Sequence, residues 1–507
     1  MASKAKTYRL NNLSGGINSV SEINALASFD YNGSGVQAEA EDIENFIPLN
    51  RGGQSKTTGF SLYYNTASAN KITGLYRYIQ SGGTSLFLYS QTTKVYKLVA
   101  GTPTDIGATI DSGAYTHFET ALDKCIICDG VNTPVTYDGA SVASLGGTPP
   151  SGARQSLWYQ NRLWIFSASS NPSLVYYSDA GTIGAGYAAN FVQCDVNDGQ
   201  KIVSINKYFI PGTLEPVILV TKERSAGVII GDGSTGNPYT YVRTNQDTGG
   251  SSFRSAVQFG SDVAYLTPRG VTSYKTDSTF VNLQYTYLSE RVRPDFQSLN
   301  ATALSTSMAW YDWKKTRISF AVPEAGKSTP NVIWHFDTRL NCWYKERWYT
   351  GQDCTASFID SDGTWYHGDS NGKIYNHGSN YNFNNYPINA FYKTGYMDFG
   401  DPSLFKHIRQ ARMMIRGNGT YNVGVSTKLN YGISTGTSHN IQTASGAYTW
   451  GSFTWGSFTW GAAPIRFPKF FPGGDFQNIQ LIITQSGLDE SLDIFELEFI
   501  TEITGLF

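Results

Sequence analysis

Apolar residues in this chain gather into short runs separated by turns rich in Gly, Asn, Asp and Ser, and one paired arrangement of such runs recurs seven times. The pairs are LFLYS with VYKL (86–98), KCIICDG with PVTYDG (124–139) and NRLWIFS with LVYYSD (161–179). PVILVT with GVIIGDG (216–233), SDVAYLT with GVTSYKT (261–276), RISFAV with VIWHFD (317–337) and TWYHGD with KIYNHG (364–378) complete the series. Measured at Val95, Val135, Val175, Val228, Val271, Val332 and Ile374, the steps are 40, 40, 53, 43, 61 and 42 residues. A period near 40 built from strand-length runs, with no helical periodicity between them, is the spacing of β-propeller blades. The pattern therefore predicts an all-β chain whose residues 71–385 form a propeller of six to eight blades. The two long steps place insertions at 180–200 and 300–313, on the propeller rim.

The flanks follow other patterns. Residues 1–70 read as an N-terminal arm and entry strand, with room for a short helix in the Ala/Ser/Glu-rich stretch 21–41 and a turn at Pro48 and Gly52–Gly53. Residues 386–507 alternate apolar and polar positions at 391–419 and 476–503, which predicts a β-sandwich-like domain. Between those stretches an aromatic-Thr-Trp-Gly unit repeats three times over 448–461. A five-residue period puts successive Trp on opposite faces of a straight strand, so a bent segment is expected. Trp450, Trp455 and Trp460 are the candidate interaction residues, either completing the sandwich core or anchoring a partner protein, since Trp dominates interface hot spots.

Composition agrees with many short strands: 15% charged residues, 14% aromatic, 52 Gly and 33 Tyr. A formal net charge of −2 gives no basis for tight nucleic-acid binding, which needs Lys and Arg to neutralise phosphates. Five cysteines, an odd number, argue against a disulfide framework. Cys125 and Cys128 form a CxxC inside an apolar run with no second pair to complete a zinc site, so core positions are expected. The start MASKAKTYRL lacks the apolar core of a signal peptide and no long apolar run follows, so synthesis in a cytoplasm without membrane insertion is expected.

Candidate chemistry is sparse. The six His residues, at 117, 335, 367, 377, 407 and 439, are scattered. His367 and His377 share a blade, but each adjoins a turn, which points to a surface position rather than to a metal ligand or general base. The DSDG run at 360–363 reads as an Asp/Gly turn, and no P-loop, HExxH or GxSxG is present. No catalytic, cofactor-binding or metal-ligating set is assembled, and none is expected.

One set of residues does point to a family. Leu13, Gly15, Gly16 and Ile17, followed by Glu44, Asn45, Phe46, Pro48, Leu49, Gly52, Gly53, Lys56, Gly59 and Phe60 ahead of a propeller, resemble the tail nozzle proteins of bacteriophages. These are also called tail tubular protein B, and the packaged-DNA stabilisation proteins are similar in role. The stretch 156–179, SLWYQNRLWIFSASSNPSLVYYSD, resembles a blade of that family, whereas Thr57–Thr58–Gly59 stands where many members carry Arg-Pro-Gly. The resemblance implies a non-enzymatic virion protein forming a homo-oligomeric ring, six copies by family habit, below the portal and head-to-tail adaptor. That ring would continue the DNA ejection channel, retain packaged DNA without binding it specifically, and offer attachment to tail fibre or needle proteins. The arm, 1–41, would dock on a neighbouring subunit. The alternatives are a distal receptor- or glycan-binding tail protein with the three Trp as a stacking platform, and a polysaccharide-cleaving propeller.

Overall fold

The computed structural model describes residues 5–21, 26, 37–167, 169–210, 216–274, 287–443 and 465–506. Seven antiparallel sheets follow one another from residue 72 to 377. The first four contain four strands each, the one at 256–273 has three described strands, and the last two are parts of larger sheets of ten and six strands. Their innermost strands are Ile72–Ile79, His117–Ala121, Ala153–Tyr159, Ile202–Phe209, Ala256–Phe259, Met308–Asp312 and Ala356–Ile359. Each packs beside the next and the last beside the first, so the sheets close into a propeller. The repeated pairs of runs are the second and third strands of each blade. The second strands Asp262–Thr267 and Arg317–Val322 are buried at every position, because each blade is covered by a neighbour on both faces. This double covering is why they read as continuous apolar runs rather than as alternating ones.

Tight turns set the hairpins. Leu122 and Asp123 have φ of 46° and 59°, as do Gln160 and Asn161 at 52° and 58°. Two successive left-handed residues give the primed turn whose twist matches the strands it joins. The insertion expected at 180–200 contributes Phe191–Gln193, the fourth strand of the third blade. That expected at 300–313 holds a 3-10 turn, Ala301–Thr306, and then the inner strand of the sixth blade. The seventh blade takes its outer strand, Phe60–Asn65, from ahead of the first blade, antiparallel to Lys373–His377.

The two sheets of the sandwich draw on both flanks. One contains Phe46–Pro48, Gln54–Lys56, Asp493–Leu506 and Leu404–Arg416, with Lys6–Leu10 also paired to Asp493–Leu506. The other runs Ala40–Glu44, Ala390–Thr394, Ile479–Gln485 and Asn422–Leu429. Leu10, Leu13, Ile17, Ile43, Ile408, Met413, Val425, Leu481, Leu497 and Phe499 lie together in their core. Of residues 1–70, the described part up to Lys56 thus builds the sandwich rather than a free arm, while Phe60–Asn65 enters the propeller as a strand. Lys6–Leu10 alternates so that its apolar Leu10 turns inward, and Leu13 and Ile17 follow it into the chain's own core. The helix considered at 21–41 falls mainly on residues outside those described.

Propeller and sandwich are continuous. Ala40–Glu44 lies between Cys342–Arg347, the outer strand of the sixth blade, and Ala390–Thr394, making one ten-stranded sheet of both bodies. The apolar core is shared as well, with Ile318, Phe320, Trp334 and Trp343 of the sixth blade in the same cluster as the sandwich residues.

Candidate functional site

Several of the residues that resemble the nozzle pattern lie at this joint. Gly16, with φ +74°, passes so close to the sixth blade that a Cβ would sit 2.6 Å from the Trp343 carbonyl oxygen. The adjacent Ile17 amide donates to that same carbonyl at 2.8 Å. Asn45, at φ 59°, donates from Nδ2 to the carbonyls of Arg347 (2.9 Å) and Asn389 (2.7 Å), and its Oδ1 accepts the Arg347 amide (2.9 Å). One side chain thus fastens the sixth blade to the sandwich. Arg347 spans Glu44 and Glu324 with contacts of 2.9 and 2.6 Å, and Lys345 meets Asp42 at 2.7 Å.

Lys56 is buried, donating to Gln485 Oε1 and to the Gly487 carbonyl. Burial pulls its ammonium down to about 8, against the fields of Glu490 and Asp489. Gly59 lies against the backbone of Asn382, leaving no room for a side chain. Gly59→Ala is expected to cost about 3 kcal/mol or more, read as a lowered denaturation midpoint, because both clashing groups are main chain and neither can rotate away.

Between the sixth and seventh blades lies a buried polar core. The surface position expected for His367 and His377 is corrected here: His367 is 0% exposed, as is the neighbouring His335, and His377 is half-buried. Their turns lie at blade ends, but their side chains enter the seam between blades. His367 Nδ1 and His377 Nε2 are 2.9 Å apart, so one donates to the other. His377 stacks on Trp365 at 3.4 Å between ring centroids, while Trp348 and Phe60 cover His367. Burial lowers His367 to about 3, and burial with the fields of His367, Lys315 and Arg317 lowers His377 well below the ordinary imidazole value. His335 pairs Nδ1 with Ser319 Oγ (2.8 Å) and places Nε2 3.4 Å from Glu346 Oε2. Burial and then Arg317 lower it to about 4. Burial raises the Glu346 carboxyl, yet His335, Arg317 and the Trp348 indole N–H, donating at 2.6 Å, outweigh it and leave it at about 2.

Neutral imidazoles sealed under Trp348, Trp365 and Phe60 have no path to a substrate proton, so this cluster ties blades together. No spacing rule reveals it, because its members come from six separate strands, among them Phe60–Asn65 from ahead of the first blade, with Trp348 just beyond one of them. The only signal in the sequence is the density of His and aromatic residues at positions alternating with the apolar set.

The DSDG turn is also structural. Asp360 accepts from Arg77 Nε and Nη2 at 2.9 and 2.5 Å, joining the seventh blade to the first, and Asp362 Oδ1 accepts the Thr364 amide at 2.7 Å. All five cysteines are buried and unpaired, and burial lifts the Cys128 thiol to about 12, which removes thiolate chemistry at neutral pH. Among the described residues no three His, Cys, Asp or Glu side chains converge as a metal site. Trp450, Trp455 and Trp460 lie outside the described residues.

One concavity is the propeller channel, about 270 Å3, lined by inner-strand residues including Thr73, His117, Gln155 and Ser357, and by Arg254 just ahead of an inner strand. Its polar groups link successive blades. His117 Nε2 meets the Ser156 carbonyl at 2.8 Å, and Gln155 exchanges two hydrogen bonds with the Ile205 backbone. Thr355 donates to the Ile72 carbonyl at 2.7 Å.

No protein-family model matches the chain, and no curated protein matches it. Among solved structures, it is similar to the extracellular domain of a one-component system from B. thetaiotaomicron, at 10% identity and a TM-score of 0.43. That match covers 72% of this chain and 43% of the other, so the chain spans less than half that protein's length. It is also similar to the WD40 propeller domain of Doa1 (8% identity, TM-score 0.41, 63% and 97% covered). BamB from Moraxella catarrhalis is a further likeness (13% identity, TM-score 0.36, 66% and 93% covered).

Proposed function

We propose that this chain is a structural, non-enzymatic component of a bacteriophage tail, the nozzle or hub ring below the portal and adaptor. The observation that carries the reading is the location of the resembling residues. Gly16, Ile17 and Asn45 serve the joint that fuses propeller to sandwich, Lys56 is anchored inside the sandwich, and Gly59 packs beside the strand that closes the seventh blade. A chain that shares them is expected to share this two-body architecture, and with it the surfaces a ring subunit presents. The continuous sheet through the joint transmits load between the bodies without a hinge, as suits a wall that contains packaged DNA. A near-neutral, slightly acidic chain lets DNA pass without adhering. Six copies would form the ring, with the adaptor above and fibre or needle proteins attached to it.

Electron microscopy of the purified protein mixed with its adaptor complex tests this. Hollow rings of uniform copy number are expected. Monomers or fibrous trimers that ignore the adaptor would defeat the nozzle reading and favour a distal receptor-binding protein.

A further inference from the structure

Every inner strand of the propeller begins at the same rim of the channel, and three cations stand at those beginnings. Lys71 precedes Ile72–Ile79, Arg154 lies at the start of Ala153–Tyr159, and Arg254 precedes Ala256–Phe259. They gather around two aromatic rings. The Arg254 guanidinium lies 3.6 Å from the centroid of Tyr115, and Lys71 Nζ lies 4.2 Å from the same ring. Arg154 and Arg254 are 5.3 and 6.0 Å from the centroid of Phe253.

Among the described residues, none of the three cations forms an ion pair. Arg254 donates from Nη1 and Nη2 to the carbonyls of Thr355 (2.7 Å) and Thr306 (2.5 Å), and its buried Nε has no partner. Arg154 has its ring contact and no hydrogen bond. Asp129, whose field reaches Arg154, has both oxygens occupied by the amides of Val131, Asn132 and Asp111 and by the Asn132 side chain. Arg254 itself lines the channel cavity, together with Thr73, Thr116 and His117. Thr116 Oγ1 is likewise buried without a partner.

Two guanidiniums, neither in an ion pair, with Arg254 desolvated and Arg154 reached by the field of Asp129 alone, cost free energy that a bound anion offsets. Burial disfavours the charged form of both guanidiniums and lowers their pKa, and the charge of Arg154 adds to that effect on Arg254. The cavity has room for a small oxyanion with its water but not for a polymer segment.

We propose that the channel rim is a binding site for a small oxyanion of the phosphate type, held between Arg154 and Arg254 with Thr116 as a further donor. The guanidinium fork matches two oxygens of such an ion at once, which chloride cannot reproduce. The ligand neutralises the rim and fixes the second, third and fifth blades to one another. The site is independent of the assembly proposed above, so ring formation and anion binding can fail separately.

Inorganic phosphate and the full-length chain provide the test. Phosphate raises protein stability generally by exclusion from surfaces, so the comparison is among variants at matched ionic strength. Arg154 makes no structural hydrogen bond, and Arg154→Gln is expected to fold. Arg409→Gln, at an exposed pair with Glu502, is the control. The phosphate-induced rise in Tm is expected to be larger in wild type and Arg409→Gln than in Arg154→Gln by about 2 °C or more, with Arg154→Lys between. Wild type, but not Arg154→Gln, should also broaden the 31P resonance of added phosphate. Equal increments in all four proteins, without broadening specific to wild type, would overturn the site.

Discussion

Deleting residues 1–41 is expected to unfold the sandwich while leaving the propeller ring intact. The deletion removes Lys6–Leu10 and its pairing with Leu497–Thr501, and it cuts Ala40 and Glu41 from the strand that links the two bodies. Leu10, Leu13 and Ile17 are buried to within 3% of completely. Losing these three alone costs about 5–8 kcal/mol at the usual value for a buried aliphatic side chain, comparable with the roughly 5–15 kcal/mol that holds a domain together. The ring, closed by Phe60–Asn65, contains none of the deleted residues. Calorimetry should therefore show the full-length transition replaced by a single propeller transition, with exchange protection lost across 404–416 and 479–506. An unchanged melting profile would show that the N-terminal strands contribute nothing to the sandwich.

The second large effect is acid instability. His335 and His367 are buried neutral, with folded values of about 4 and about 3. An imidazole titrates near 6.5 when unfolded. Between that value and the folded one, the unfolded state holds a proton that the native state refuses. The stability linked to each group is complete above about pH 6.5 and is lost as pH falls towards the folded value, by about 3–5 kcal/mol per group. Glu346 continues the trend lower, because a carboxylate depressed to about 2 contributes stability present above its unfolded value and lost as pH falls towards 2. Denaturation midpoints measured from pH 7 to pH 4 should fall steeply. His367→Asn should reduce the slope over that interval by about 1.4 kcal/mol per pH unit, whatever it does to stability at pH 7. A variant with the wild-type slope would mean that His367 is protonated in the native seam.

Particular residues explain why the propeller was readable from the sequence and the joint was not. Val95, Val135, Val175, Val228, Val271, Val332 and Ile374 all fall on third strands, because the same burial between blades recurs with every repeat. Periodicity reports such local, repeated environments. The joint is a single event between residues far apart in the chain: Glu44 meets Lys345 and Phe391, and Lys6 meets Thr501. Its apolar residues, Leu13, Ile17 and Ile43, are too widely spaced to form a pattern, so they read as an arm. His367 and His377 read as surface residues for a related reason. Proximity to a turn predicts exposure along one sheet, but the face of the next blade, not the turn, determines what a blade side chain meets.

The interleaving of the sandwich also sets an order of events during synthesis. Lys6–Leu10 and Gln54–Lys56 leave the ribosome long before Asp493–Leu506, the strand that pairs with Lys6–Leu10 and with the outer edge of Gln54–Lys56. At translation rates of about 5–20 residues per second, those early strands wait roughly 20–100 seconds with their backbone donors and acceptors open. The whole ring can form in the interval, since its closing contact needs only residues up to His377. The nascent chain thus passes through a stage with a finished propeller trailing unpaired edges, the kind of surface on which copies synthesised side by side can mispair or exchange strands. Yield should accordingly fall with expression rate more steeply than the stability of the finished molecule would suggest.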